Sequence, residues 1–276
     1  MYRLLNIEFQ KLRHNRASKI LIITYFVLLT SIALIAAIKF DIGPIKFHLA
    51  EMGIFNFPYI WHFNSYIAAF FKLFLAIVIV SMMANEYSNK TLKQNLIDGL
   101  SKKEFVLSKF YTVIVFALVS TLFLFVVSLL LGLGFSNYTE LSIIFSDLDY
   151  LLAFFVKLVG FFSFCLFLGV LVKRSAFALG FLFVWQFIEG IVFGVLRWKT
   201  DAETATSVMQ FFPLNSMSNL IKQPFSRLSA VQSVANQVGE KFDFDYAVHW
   251  YEIVIVLGWT AIFVFLSFRL LKMRDL

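Results

Sequence analysis

Six stretches of this chain read as about 20 almost uncharged apolar residues, the length an α-helix needs to cross ~30 Å of hydrocarbon at ~1.5 Å per residue. They lie near Lys19 to Ile38, Ser65 to Met83, Lys109 to Phe135, Leu151 to Val172, Ala176 to Leu196 and Trp250 to Leu270. With 60% hydrophobic residues and 36 phenylalanines in 276 positions, the chain has more apolar surface than a soluble core of this length can bury. A closed barrel, the other fold that satisfies backbone polar groups in lipid, needs short alternating strands, and the sequence lacks that pattern. The expected fold is an all-α integral membrane protein, one membrane domain over residues 1–276 with six transmembrane helices.

Basic residues set the orientation. If the N terminus is cytoplasmic, the inner segments hold Arg3, Lys11, Arg13, Arg16 and Lys19, then Lys90, Lys93, Lys102, Lys103 and Lys109. Lys173, Arg174, Arg269, Lys272 and Arg274 follow, making fifteen of the 24 Lys and Arg. The outer segments hold Lys39 and Lys46, none between Ser136 and Tyr150, and five spread from Arg197 to His249. The positive-inside rule therefore puts both termini in the cytoplasm and predicts a multi-pass protein of the cytoplasmic membrane. The net charge of +7 then reports topology and contact with anionic lipids, so no nucleic-acid partner is expected. The lone Cys165 excludes an internal disulfide framework. The first apolar run is about twice the length of a signal peptide's apolar region, so it is read as a span.

The basic preface has a pattern of its own. Tyr2, Leu5, Phe9 and Leu12 recur at helical spacing, while Arg3, Asn6, Gln10, Lys11 and Arg13 take other faces. Residues 1–17 thus read as a basic amphipathic helix lying in the inner interface. The polar insert between the second and third runs, "NEYSNKTLKQNLIDGLSKKEF", is patterned too. Ser88 or Asn89 can cap a helix whose inward face is Leu92, Leu96 and Ile97 and whose outward face is Lys93, Gln94 and Asp98. Gly99 sits where a left-handed residue would end that helix. Ser101, followed three residues later by Glu104, is a capping box for a helix running through Phe105 and Leu107 into the third span. An ordinary capped loop carries the same signals, so spacing alone leaves a docking role open.

The insert resembles the cytoplasmic loop of ABC type-2 exporter permeases. That loop commonly has Glu, three residues, Gly-Thr-Leu, then a Pro-x-Ser-Arg turn and a Gly-Lys before the next span. Glu86, Thr91, Leu92, Ser101, Lys102 and Lys109 match in register, while Lys90, Gly99 and Ser108 replace the usual Gly, Pro and Gly. The opening "LLNIEFQKLRHNRASKI" is similar to the family's N-terminal interface helix, with Glu8, Lys11, Leu12 and Arg16 in matching places. The resemblance implies a permease that pairs with an identical or related second permease and receives a separate cytoplasmic ABC ATPase. Segment 86–104 would be the coupling loop, with Glu86 to Lys103 forming the docking helix. ATP and Mg would sit on the partner, because this chain has no Gly-x-x-x-x-Gly-Lys-Ser/Thr phosphate loop. The chain would then be a transport subunit without enzymatic activity, and the implied direction is export.

Charges inside the spans are costly in lipid and usually face protein or water. Lys72, Lys157 and Glu189 each fall about seven or eight residues from the predicted outer edge, a shared depth of roughly 10 to 12 Å. Lys157 or Lys72 is therefore expected to pair with Glu189, as part of a substrate path or as a structural ion pair or snorkelling lysines. Gly190 and Gly194 form a Gly-x-x-x-Gly pair able to bring helices together. Phe55, Phe57, Tyr59, Trp61 and Phe63 read as an interfacial aromatic belt. Within the outer segment 197–249, Asn215 or Ser216 is a candidate cap, and Leu228, Val231, Val234 and Val238 follow at helical spacing. His48, His62 and His249 have no partner at metal-ligand spacing, so no metal site is expected. Two other readings remain: a non-transporting membrane subunit driven by an ATPase, mechanical or signalling, and an ion-coupled secondary transporter.

Overall fold

The computed structural model describes residues 2–35, 39–42, 45–48, 53–138, 140–227 and 245–274. In chain order its elements are α1 (Tyr2–His14), α2 (Arg16–Ile35), β1 (Lys39–Ile42), β2 (Ile45–His48), α3 (Tyr59–Phe70) and α4 (Lys72–Ser88). They continue with α5 (Thr91–Ile97), α6 (Lys102–Phe135), α7 (Leu141–Ile144), α8 (Asp149–Val172) and α9 (Ser175–Lys199). Last come α10 (Ala202–Met209), α11 (Pro213–Asn219), a 3-10 turn at Phe225–Arg227, and α12 (Trp250–Met273). The protein is an all-α membrane protein, to which a small antiparallel hairpin pairs β1 with β2 through Lys39↔His48 and Ile42↔Ile45.

Five single helices are long and apolar enough to cross a membrane, and the α3–α4 pair makes a sixth span if counted as one. The second span is not straight: its halves meet at Phe71 with a bend of 44°. The helices alternate in direction. One end of the molecule, called the basic end below, collects α1, α5 and the last turn of α12; the opposite end collects the hairpin, α7, α10 and α11. The outer periodic residues Leu228, Val231, Val234 and Val238 lie outside the described residues.

The helix α8 is the hub. In its most apolar stretch 83% of the residues are buried, against 33% or less in the other single spans. Its sequence is apolar on every side, as a helix surrounded by others must be. Two glycines let its neighbours close in. A Cβ on Gly160 would lie 2.7 Å from Val256 Cγ1 of α12, and one on Gly169 would lie 2.9 Å from Met83 Cβ of α4. Small residues at such crossings allow the backbone approach that packs helices in lipid. The expected Gly190 and Gly194 pair does not do this, since both face open space in this chain.

The aromatic run before α4 also differs from expectation. Phe55, Phe57, Trp61 and Phe63 are buried, so they form a plug between helices and not a belt facing lipid. Trp61 stacks on Phe125 at 5.5 Å and donates Nε1–H to the Ile144 carbonyl at 2.8 Å. The Phe57 ring fills the space that a Cβ on Gly132 would need, tying this plug to α6. His62 joins it, stacked on Tyr150 at 4.2 Å, with Nε2 against the Lys222 carbonyl and Nδ1 facing the Arg227 guanidinium. A carbonyl on one ring nitrogen and a guanidinium on the other define a neutral imidazole with its proton on Nε2.

The two glycine environments yield opposite outcomes for one substitution. Gly169→Ala should lower the thermal midpoint in detergent, because overpacking against Met83 costs ~1–3 kcal/mol and exceeds alanine's helix advantage of ~1 kcal/mol. Gly190→Ala should hold or raise the midpoint. A Gly169→Ala protein as stable as wild type would show that α8 and α4 are not closely apposed.

Candidate functional site

At the basic end the chain reverses between two spans through a stiff connector. The left-handed Lys90, at φ 55°, ends the α4 turn and starts α5 without a side-chain cap, so neither Ser88 nor Asn89 plays the expected capping role. This is the position where the resembled loop carries glycine, and the left-handed backbone explains why a glycine suits it. Gly99, at φ 93°, closes α5 as expected. The capping box at the start of α6 is also present: Ser101 Oγ accepts from Glu104 N at 3.2 Å, and Glu104 Oε2 accepts from Ser101 N at 3.0 Å.

Beneath this connector lies a cluster of four charges from three helices. Lys109 of α6 is completely buried, and its Nζ donates to Glu8 Oε2 of α1 and Glu86 Oε1 of α4, both at 2.6 Å. Lys11 of α1 approaches Glu86 at 2.7 Å and Glu8 at 3.7 Å. The α5 helix is fastened to the same carboxylate, with Thr91 Oγ1 donating to Glu86 Oε2 at 2.5 Å and Asn95 Nδ2 at 3.5 Å. Two carboxylates and two ammoniums balance, so the charges survive burial by satisfying one another.

The structure thus divides the expected coupling residues. Glu86 is only 3% exposed and works inward, holding the connector to α1 and α6; it has no face to offer a partner. Leu92 is buried and Leu96 half-buried, as expected, but Ile97 is 70% exposed. At 100° per residue Ile97 shares a face with Lys93, Gln94 and Asp98, and all four point outward. Gln94 Nε2 donates to Asp98 Oδ1 at 3.1 Å along that face. Lys102 reaches the end of α12, donating to the Arg274 carbonyl at 3.0 Å. On α1, Leu12 and Glu8 are buried, Leu5, Phe9 and Lys11 half-buried, and Phe9 meets Phe116 edge-on at 6.1 Å.

Two residues have roles that were not read from sequence, although Lys109 matched the resembled loop. Lys109 is the centre of the cluster; the signal was two acids, Glu8 and Glu86, standing inside an otherwise basic flank. Arg274 clamps the end of α12, donating to the Val170 carbonyl, to the Leu171 carbonyl at 2.8 Å and to Tyr87 Oη at 3.2 Å. Carbonyls left open at a helix C terminus are natural acceptors for such a cation.

The intramembrane charges sit elsewhere and are not paired as expected. Glu189 accepts from Trp185 Nε1 at 2.7 Å and from the backbone N–H groups of Leu214 and Asn215 at 3.0 and 2.8 Å. It is therefore the N-terminal cap of α11, donated by another helix, which is why neither Asn215 nor Ser216 is needed as a cap. Lys157 donates to the Ser218 carbonyl at 3.3 Å, and the Lys72 ammonium lies 4.5 Å over the Phe161 ring. Lys72 and Glu189 both line a cavity of about 450 Å³. At the same end His249 Nε2 meets Asp245 Oδ2 at 2.6 Å. The Ala247 N–H, and then that histidine, hold the Asp245 carboxyl below its usual range.

The cluster predicts an uneven mutational response. Lys109→Met should destabilise the detergent-solubilised protein by ~3–5 kcal/mol, because it leaves buried carboxylates short of a counter-charge. Lys93→Ala, on the exposed face of α5, should change stability by less than ~0.5 kcal/mol. Thermal or denaturant unfolding followed by tryptophan fluorescence checks both, and equal effects would contradict the cluster's structural role.

The family model described as ABC-2 family transporter protein matches residues 4–189, a span that includes all but the first two residues of α1, the charge cluster, the connector and Glu189. Comparison with curated proteins gives no match. The family match covers more than half of the 276 residues, and with the membrane-spanning helices around α8 it establishes that the chain belongs to the ABC-2 family of transporter membrane proteins.

Proposed function

We propose that the chain is the permease half of an ABC exporter whose power comes from a separate ATPase subunit gripping the exposed face of α5. The observation that carries this reading is the attachment of that helix. The face formed by Lys93, Gln94, Ile97 and Asp98 is free, while the opposite side is fastened through Thr91 and Glu86 to Lys109 and Glu8. A push on the free face is transmitted to α4, α6 and α1 together, with little slack to absorb it.

The rest of the mechanism follows from that joint. Because the sequence holds no phosphate loop, ATP and Mg belong to the partner. Its closure on ATP would favour one arrangement of the spans over another, by as much as its affinities for the two differ. The basic end is cytoplasmic in this reading, with both termini there, and a second permease, identical or related, completes the pathway. Membrane lipids surround the pair. Residues 1–276 act as a single membrane domain.

The direct test is association with the ATPase in lipid. Lys93→Glu combined with Ile97→Asp should weaken binding or permease-stimulated ATP hydrolysis at least about tenfold, near 1.4 kcal/mol, with the thermal midpoint unchanged. Unaltered association and coupling would refute docking at α5. ATP-dependent uptake into inside-out vesicles would establish export, and uptake into right-side-out vesicles the reverse.

A further inference from the structure

The cavity of about 450 Å³ at the bend of the second span is of ligand-pocket size. Its two charged side chains, Lys72 and Glu189, are not paired with each other. A second lysine, Lys157, lies near Lys72 but does not line the cavity. The carboxylate on the same wall, Glu189, is already engaged by three N–H donors at the start of α11. Lys157 has the Ser218 carbonyl, whereas Lys72 has only the face of Phe161 and, among the described residues, no carboxylate within ion-pair distance. The side-chain amides of Gln186 and Asn215 line the same space and have no hydrogen-bond partner among the described residues. A cation with two free amides beside it is an arrangement for receiving an anion.

The remaining walls are of a different kind. Phe70, Phe183 and Phe193 also line the cavity, and Phe70 and Phe183 are 61% and 54% exposed on its margin. Depth agrees with this mixture. Lys72 lies 16 residues from Ser88 along α4, about 24 Å at ~1.5 Å per residue, which puts it inside the bilayer in the leaflet at the opposite end. A free anion would leave the aromatic margin uncovered, and a neutral hydrocarbon would leave Lys72 unanswered.

We propose that this cavity binds an amphiphile with an anionic head, the head held by Lys72, Gln186 and Asn215 and the apolar chain laid along Phe70, Phe183 and Phe193. The ligand class is a phosphate- or carboxylate-headed molecule with an acyl-like body, reached from the leaflet at the opposite end. As a statement about cargo this rests on the exporter reading; as a statement about binding it does not. The test therefore uses the permease alone.

Calorimetric titration of the purified chain in maltoside micelles would compare lysophosphatidylglycerol, lysophosphatidylcholine and glycerol 3-phosphate. The anionic lysolipid should bind at least tenfold more tightly than the zwitterionic one, and glycerol 3-phosphate should bind far more weakly than either. Lys72→Gln should remove the preference, and Leu73→Trp, which fills the cavity, should weaken both lysolipids. If Lys72→Gln does not fold, Gln186→Leu on the exposed side of α9 should still cost the anionic lysolipid several-fold. Equal affinity for the two lysolipids, or a preference untouched by these variants, would overturn the site. Tight binding of glycerol 3-phosphate would replace it with a site for a soluble anion. Lys103→Gln, in the separate apolar groove between α6 and α12, should leave the titration unchanged; loss of the preference there would place the ligand elsewhere and overturn the proposal.

Discussion

Everything at the basic end depends on the burial of one ammonium, that of Lys109, between two carboxylates from different helices. An uncompensated charge at 0% exposure is costly, so Lys109 fixes the positions of Glu8 and Glu86 as much as they fix it. That requirement turns a surface helix, α1, into a structural part of the bundle. It also explains the acidic residues in an otherwise basic flank. The short α5 inherits its position from the same cluster, since Thr91 and Asn95 bond the Glu86 oxygen that Lys109 leaves open. A seven-residue helix has little stability of its own, and here the membrane helices on either side supply what local hydrogen bonding cannot.

Much of this was readable from sequence because lipid leaves few options. Runs of about 20 apolar residues mark spans, and Gly99 and the Ser101–Glu104 box mark helix ends through local backbone chemistry. What sequence did not give was tertiary. Periodicity assigned Ile97 inward because an isolated helix shows only that its apolar residues cluster, not which side meets the bundle. The Phe55 to Phe63 run carries the composition of an interfacial belt, yet Gly132 on a distant helix opens the space that draws Phe57 inside. Glu189 was assigned to a lysine by depth alone. Its actual partners are backbone N–H groups, which no composition or spacing argument can place. The bend at Phe71 was equally silent, since neither proline nor glycine marks it.

The helix α4 connects the charge cluster with the cavity. Its last turn carries Glu86, in the cluster under α5, and its first residue is Lys72, at the cavity. Between them lie residues in one unbroken helix, close against α8 at Gly169, so the two ends cannot move independently on the scale of a side chain. The bend at Phe71 then has a mechanical meaning. It is where α3, anchored by the Trp61 and Phe57 plug, need not follow a tilt of α4. A displacement delivered at the basic end would therefore be spent at the cavity mouth, altering the distance between Lys72 and the α9 residues Gln186 and Glu189 that face it. In such an arrangement a permease can link a distant docking helix to a membrane site using one rigid element and one joint.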